Sequence, residues 1–140
     1  MDVRQERMHW SLPSAPGSAA QARRHVAAAC SHLGREFHDV AVLLASELVG
    51  NAVEHARSDA IHLVVDQQES RFRVEVHDDL ADRPAPQHGD TLAPRGRGLM
   101  LVERLAAEWG VDPSPGGGKQ VWFQLRMPPP GPHRRTSPSR

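Results

Sequence analysis

The chain has 140 residues, a length that fits one domain with a hydrophobic core of its own. Its 17 basic and 17 acidic residues give a formal net charge of zero, so the composition does not predict a surface for nucleic acid or for an anionic membrane. No apolar stretch approaches the length of a membrane span, and a single cysteine, Cys30, cannot form an internal disulfide. We therefore expect a cytoplasmic protein whose partner is another protein or a small molecule.

The first third of the chain predicts a strand and a helix. Residues 1–9 are polar and are expected to be flexible, and residues 10–12 form a short apolar stretch suited to an edge strand. Ser18 is a candidate N-cap for the first helix, in which apolar residues recur at helical spacing until Gly34 ends it.

The second predicted helix begins near Asp39 and ends near Ala56. Glu47, Asn51 and His55 are four residues apart on it and share one face, beside an apolar stripe. A carboxylate and a carboxamide one turn apart suit a site in which Asn51 coordinates a hard cation and Glu47 orients or deprotonates a nucleophile. Polar residues at this spacing also occur on the solvent-exposed face of an ordinary amphipathic helix. This segment alone is therefore compatible with a functional site and with a purely structural helix.

Two strands follow, over residues 61–65 and 72–76, and the short turn between them predicts an antiparallel hairpin. The apolar residues of the second strand occupy every other position and are expected to face the core. The hairpin places Asp78 at its end, although Asp78 and Asp79 could also form a solvated turn.

Residues 79–97 contain several prolines and glycines, and so long an irregular segment is typical of a lid. The glycines Gly96 and Gly98 then lead into an amphipathic helix, whose first amides favour an anion, although a Gly-x-Gly pair is often only a turn.

The last part of the chain predicts two more strands and a tail. The strands cover residues 109–111 and 120–125, which brings the sheet to about five strands. Residues 127–140 are rich in proline and arginine and are expected to be disordered, so the predicted domain covers residues 10–126.

These segments together resemble a known superfamily. Glu47-x-x-x-Asn51 on a helix, Asp78 at a strand end and Gly96-x-Gly98 before a helix follow the order of the N, G1 and G2 boxes of the Bergerat-fold ATPases. The segments Glu-Leu-Val-x-Asn-Ala-Val-x-His-Ala and Gly-Arg-Gly-Leu-x-Leu-Val-Glu are most similar to the anti-sigma-factor serine/threonine kinases of actinobacterial type. The resemblance implies an α/β two-layer sandwich with a mixed, mainly antiparallel sheet and helices on one face.

The resemblance also implies a site for ATP and Mg²⁺. Asn51 would hold Mg²⁺, Glu47 would serve as the catalytic base, and Asp78 would accept a hydrogen bond from the adenine amine. The nucleotide phosphates would lie against the residues that open the third helix, which are Gly96, Arg97, Gly98 and Leu99.

The chain differs from the family pattern at two places. The family's Asp-x-Gly-x-Gly is replaced by Asp78-Asp79-Leu80-Ala81-Asp82, which has neither glycine. Gln120 stands where relatives place a threonine that supports the adenine-binding aspartate.

Two hypotheses for function follow from the resemblance. The first is a regulator that binds Mg-ATP and a sigma factor, phosphorylates an antagonist (anti-anti-sigma) protein on serine or threonine, and could act as a homodimer. The alternative is a catalytically weak or inactive protein-binding module that responds to ATP.

Overall fold

The computed structural model of the protein describes residues 6–55, 59–78, 97–114 and 118–129, with residues 97–99 described by their backbone alone. Three α-helices and five strands lie within these ranges. In chain order they are β1 (Glu6–Pro13), α1 (Ser18–Ala29), α2 (Arg35–His55), β2 (Ala60–Gln67), β3 (Arg71–Asp78), α3 (Arg97–Leu105), β4 (Glu108–Pro113) and β5 (Lys119–Arg126).

The five strands form one sheet in the order β1-β2-β3-β5-β4. All four pairings between these described strands are antiparallel, whereas the resemblance implied a mixed, mainly antiparallel sheet. The helices cover one face of this sheet. The predicted class, an α/β two-layer sandwich, is therefore confirmed.

The core lies between the sheet and the helices because apolar residues alternate along each strand. Phe72, Val74 and Val76 of β3 are at most 2% exposed, which confirms the predicted inward face of this strand. Val74 lies opposite Phe123 of β5, whose side chain is completely buried. Each fully buried side chain of this kind stabilises the fold by roughly 1.5–3 kcal/mol.

Helix α2 is the middle helix of the second layer, with α1 packed on one side and α3 on the other. One stripe of its surface is buried against the sheet and α1, formed by Ala41, Leu44, Ala45, Leu48 and Val49. Because this stripe faces the core, the adjacent face of α2, which carries Glu47 and Asn51, points away from the centre of the sheet.

Strand β1 is longer than the sequence predicted. It begins at Glu6, so the predicted residues 10–12 form only its second half. The residues before Trp10 pair with β2 in a continuous register from Glu6 opposite Gln67 to Pro13 opposite Ala60. Met8 continues the alternation of Trp10 and Leu12 and packs against the core, so backbone pairing extends the strand into a stretch in which only one residue is apolar.

The helix boundaries also differ from prediction at three points. Helix α1 ends at Ala29, before the predicted end at Gly34, and a short 3-10 turn over Ser31–Leu33 follows it. Gly17, not Ser18, is the N-cap of α1, and Ser18 is the first helical residue, whose buried hydroxyl donates a hydrogen bond to the carbonyl oxygen of Pro13. Helix α2 begins at Arg35, earlier than the predicted Asp39, directly after Gly34. The φ of Gly34 is 94°, a conformation that favours glycine and that separates α2 from the short 3-10 turn before it.

Candidate functional site

The face of α2 that carries Glu47 and Asn51 presents two unpaired polar groups. Both side chains are half-buried, and neither makes a hydrogen bond or an ion pair within the part of the chain that the structure describes. Their positions are one turn apart, about 6 Å along the helix axis. Polar groups that are shielded from bulk water without a protein partner are suited to bind a ligand.

Helix α3 lies against this same helix. Its first turn contains Arg97, Gly98 and Leu99, three of the residues predicted to contact phosphates, while Gly96 lies outside the described residues. The prediction that a helix follows the Gly-x-Gly pair is confirmed. The amides of a first helical turn have no partners within the helix, which makes this end of α3 favourable for an anion.

Asp78 is the last residue of β3 and points to the helix side of the sheet, like the core residues of the same strand. Its side chain is only 6% exposed, so the interpretation of Asp78 as part of a solvated turn is wrong. The backbone amide of Lys119 donates a hydrogen bond to Asp78 Oδ1 at 3.3 Å. A buried carboxylate that is held in this way is a fixed hydrogen-bond acceptor.

The side chain of Gln120 is not placed to hold Asp78 in position. Gln120 pairs with His77 in the register, whereas its neighbour Val121 pairs with Val76 and faces the core. Successive residues of a strand alternate between faces, so the side chain of Gln120 lies on the face of the sheet away from the helices. The residue next to Asp78 on the helix side is instead Lys119.

Sequence reasoning missed Lys119, although the strand pattern contained the signal. Val121, Phe123 and Leu125 are the inward residues of β5, and counting back by two places Lys119 on their face. Gly118, which precedes it, has a φ of 72° and allows the chain to turn into the strand at this point.

Of the lid predicted over residues 79–97, residues 79–96 lie outside the described residues, as does the altered segment that follows Asp78, and Arg97 is the first residue of α3. Among the residues that the structure does describe, the predicted site therefore consists of three parts. These are Glu47 and Asn51 on α2, the first turn of α3, and Asp78 with Lys119 at the ends of β3 and β5.

A metal ion at this site would rely on few protein ligands. No group of three or more His, Cys, Asp or Glu side chains that could hold a metal occurs in the described part of the chain. The amide oxygen of Asn51 fits Mg²⁺, because this ion prefers oxygen ligands and is often bound by one or two side chains together with nucleotide phosphates.

The opposite face of the sheet carries a polar network that is separate from this site. Glu75 accepts hydrogen bonds from Arg73 Nε at 2.7 Å and from His77 Nε2 at 2.9 Å. The hydrogen bond from His77 lowers the pKa of Glu75 to about 2, an effect that burial opposes and that Arg73 reinforces. The guanidinium carbon of Arg73 also lies 4.1 Å from the ring centroid of Trp122.

The arrangement of helix, strand end and glycine-flanked helix agrees with a sequence comparison. The profile of the histidine kinase-like ATPase domain family matches residues 12–125, which is most of the chain. The chain therefore belongs to the histidine kinase-like ATPase domain family, the family of the Bergerat fold. A search of curated proteins found no match.

Membership of this family implies that the chain binds ATP. None of the helices in the described residues is long and apolar enough to span a membrane.

Proposed function

We propose that the chain is a cytoplasmic ATP-dependent regulator of the anti-sigma-factor serine/threonine kinase type. It binds Mg-ATP, holds a sigma factor through a protein surface, and transfers phosphate to an antagonist protein. The sigma factor, the antagonist and an assembly as a homodimer enter this proposal through the resemblance of the sequence motifs alone.

The proposal depends most on the environment of the Glu47 and Asn51 side chains. Both side chains are half-buried on α2, the helix against which α3 packs, and they have no protein partner in the described part of the chain. A carboxylate that served only to stabilise the helix would be expected to pair with a basic neighbour. An unpaired carboxylate one turn from an unpaired carboxamide is instead the pair that phosphoryl transfer needs.

The proposed reaction uses these two groups in different ways. The hydroxyl oxygen of the antagonist's serine or threonine attacks the γ-phosphorus of ATP, and the bond from this phosphorus to the β-γ bridging oxygen breaks, so that ADP leaves. Glu47 orients the hydroxyl and accepts its proton. Asn51 positions the triphosphate through Mg²⁺, which, when bound, neutralises charge on the phosphate oxygens.

The base of the nucleotide would lie against Asp78. This carboxylate is an acceptor, so it can bond to the exocyclic amine of adenine, which guanine lacks at the same position. The amide of Lys119 occupies Oδ1 at 3.3 Å.

The kinase step is tested with Glu47→Gln. We expect this variant to bind ATP like the wild type, and to transfer labelled γ-phosphate to purified antagonist proteins of the same organism about 10²- to 10⁴-fold more slowly. Glu54→Gln is the matched control, because Glu54 is exposed on the same helix. Equal transfer by the wild type and Glu47→Gln would contradict a role for Glu47 as the base.

The alternative function is an ATP-responsive binding module without transferase activity. It is favoured by the sequence after Asp78, which lacks both glycines of the family pattern. Under this alternative, ATP still changes the affinity for the protein partner, whereas no phosphate is transferred by wild type or variant.

A further inference from the structure

Two histidines on neighbouring strands come into direct contact on the face of the sheet away from the helices. His9 Nε2 of β1 lies 3.0 Å from His62 Nδ1 of β2. His9 is opposite Val64 and His62 is opposite Ser11, so the two side chains are diagonal neighbours on one face. His9 is exposed and His62 is half-buried.

We propose that His9 and His62 form a binding site for Zn²⁺ that is separate from the nucleotide site. Neutral imidazole nitrogens are among the preferred ligands of zinc, and each of the two rings offers one nitrogen to the same point. The remaining coordination positions are filled by water.

The distance between the nitrogens is close to what a shared zinc ion requires. With zinc–nitrogen bonds of about 2.0–2.1 Å and tetrahedral angles, two ligand nitrogens are about 3.3 Å apart. The observed 3.0 Å separation is that of a hydrogen bond, so replacing the shared proton by zinc requires the rings to turn and to separate by a few tenths of an ångström. Both side chains are attached to paired strands, which keeps the two rings together before the metal binds.

Two described residues near the pair have other partners. His77 lies opposite His62 in the register, but its two ring nitrogens contact Ser114 at 2.8 Å and Glu75 at 2.9 Å. Arg7, two residues from His9, bonds to Asp66 at 3.3 Å and is held away from the pair.

Zinc at this position would connect the edge strand to the rest of the sheet. In the described sheet β1 pairs only with β2, so its outer side has no strand partner. A ligand that binds only the folded pairing of β1 with β2 stabilises the protein in proportion to the logarithm of its concentration. Zinc binding is thus expected to raise the melting temperature independently of ATP.

The proposal is tested by titrating ZnCl₂ into the full chain by calorimetry, in a buffer with excess Mg²⁺ that saturates sites for hard cations. We expect one zinc ion per chain to bind at this pair, and both the corresponding heat and the rise in melting temperature to be lost in His9→Gln and in His62→Gln. His32→Gln is the matched control, because His32 is exposed on the short turn before α2, and it should retain both effects.

Zinc binding that survives in either variant, or no binding by the wild type, would overturn the proposal. Glutamine can keep a hydrogen bond to the remaining histidine, so both variants are expected to fold, which circular dichroism checks. A second measurement follows the imidazole proton resonances of the wild type by NMR. Those of His9 and His62 should shift together on addition of zinc, and unchanged resonances for this pair would also overturn the proposal.

Discussion

Gly110 of β4 lies directly against the indole ring of Trp122 on β5, its partner in the register. A Cβ atom at Gly110 would be only 2.8 Å from Cζ2 of the ring. The ring is itself fixed, because its Nε1 donates a hydrogen bond to Asp112 at 2.9 Å and the guanidinium of Arg73 lies over its face. The edge of the sheet therefore requires glycine at this position.

Gly110→Ala is predicted to lower the free energy of unfolding by about 1–3 kcal/mol, because the indole ring must move and lose these contacts. Chemical denaturation measures the change. Gly50→Ala is the matched control: Gly50 lies in α2 with nothing within 4 Å of an added Cβ, so alanine should raise the free energy of unfolding by about 0.5–1 kcal/mol. Equal effects of the two substitutions would show that the ring contact does not constrain the strand.

The polar network on the outer face predicts how stability depends on pH. The pKa of Glu75 in the folded chain is lowered from 4.5 to about 2, so the folded state favours the carboxylate. The stabilisation is therefore fully present above the unfolded value of 4.5 and is lost as the pH falls toward about 2.

Glu75→Gln should consequently unfold with a weaker pH dependence than the wild type over this acidic range, while being less stable near neutral pH. Thermal melting at a series of pH values measures the difference. Glu69→Gln, at an exposed residue in the turn between β2 and β3, should keep the wild-type pH dependence. If Glu75→Gln showed the same pH dependence as the wild type, the network would not hold the carboxylate in its charged form.

The two faces of the sheet predict different effects on nucleotide binding. Asp78→Ala removes a hydrogen-bond acceptor from the base and should weaken ATP binding by about 10- to 100-fold, the effect of losing a hydrogen bond to a charged group. Gln120→Ala should leave ATP affinity unchanged, because its side chain lies on the other face of the sheet.

Inorganic tripolyphosphate provides the control for the role of Asp78. It lacks a base, so its affinity should be the same for the wild type and for Asp78→Ala. A loss of ATP affinity in Gln120→Ala, or an equal loss of tripolyphosphate affinity in Asp78→Ala, would argue against the assignment of Asp78 to the base.

Local patterns predicted most of the fold. The helical spacing of apolar residues in α2 and the alternation in β3 depend only on neighbouring residues, and both gave the correct element and the correct buried face. Asp78 was likewise expected at a strand end, and the structure adds that it is buried.

The features that sequence reasoning missed depend on pairing between distant segments. Alternation along β5 places Lys119 inward and Gln120 outward, but only the pairing of β5 with β3 shows that Lys119 is the residue beside Asp78. The contact between His9 and His62 joins residues 53 positions apart and follows from the register of β1 with β2. No periodicity within either strand predicts such a contact.

The central claim is that this chain binds Mg-ATP through Asn51, and calorimetric titration of ATP with and without Mg²⁺ tests it most directly. For the wild type we predict binding that is strengthened by Mg²⁺, and for Asn51→Ala we predict that this effect of Mg²⁺ is lost. The fold should be kept in this variant, because the side chain of Asn51 is half-buried and makes no hydrogen bond in the described part of the chain. ATP affinity that depends equally on Mg²⁺ in the wild type and in Asn51→Ala, or no ATP binding by the wild type, would contradict the account.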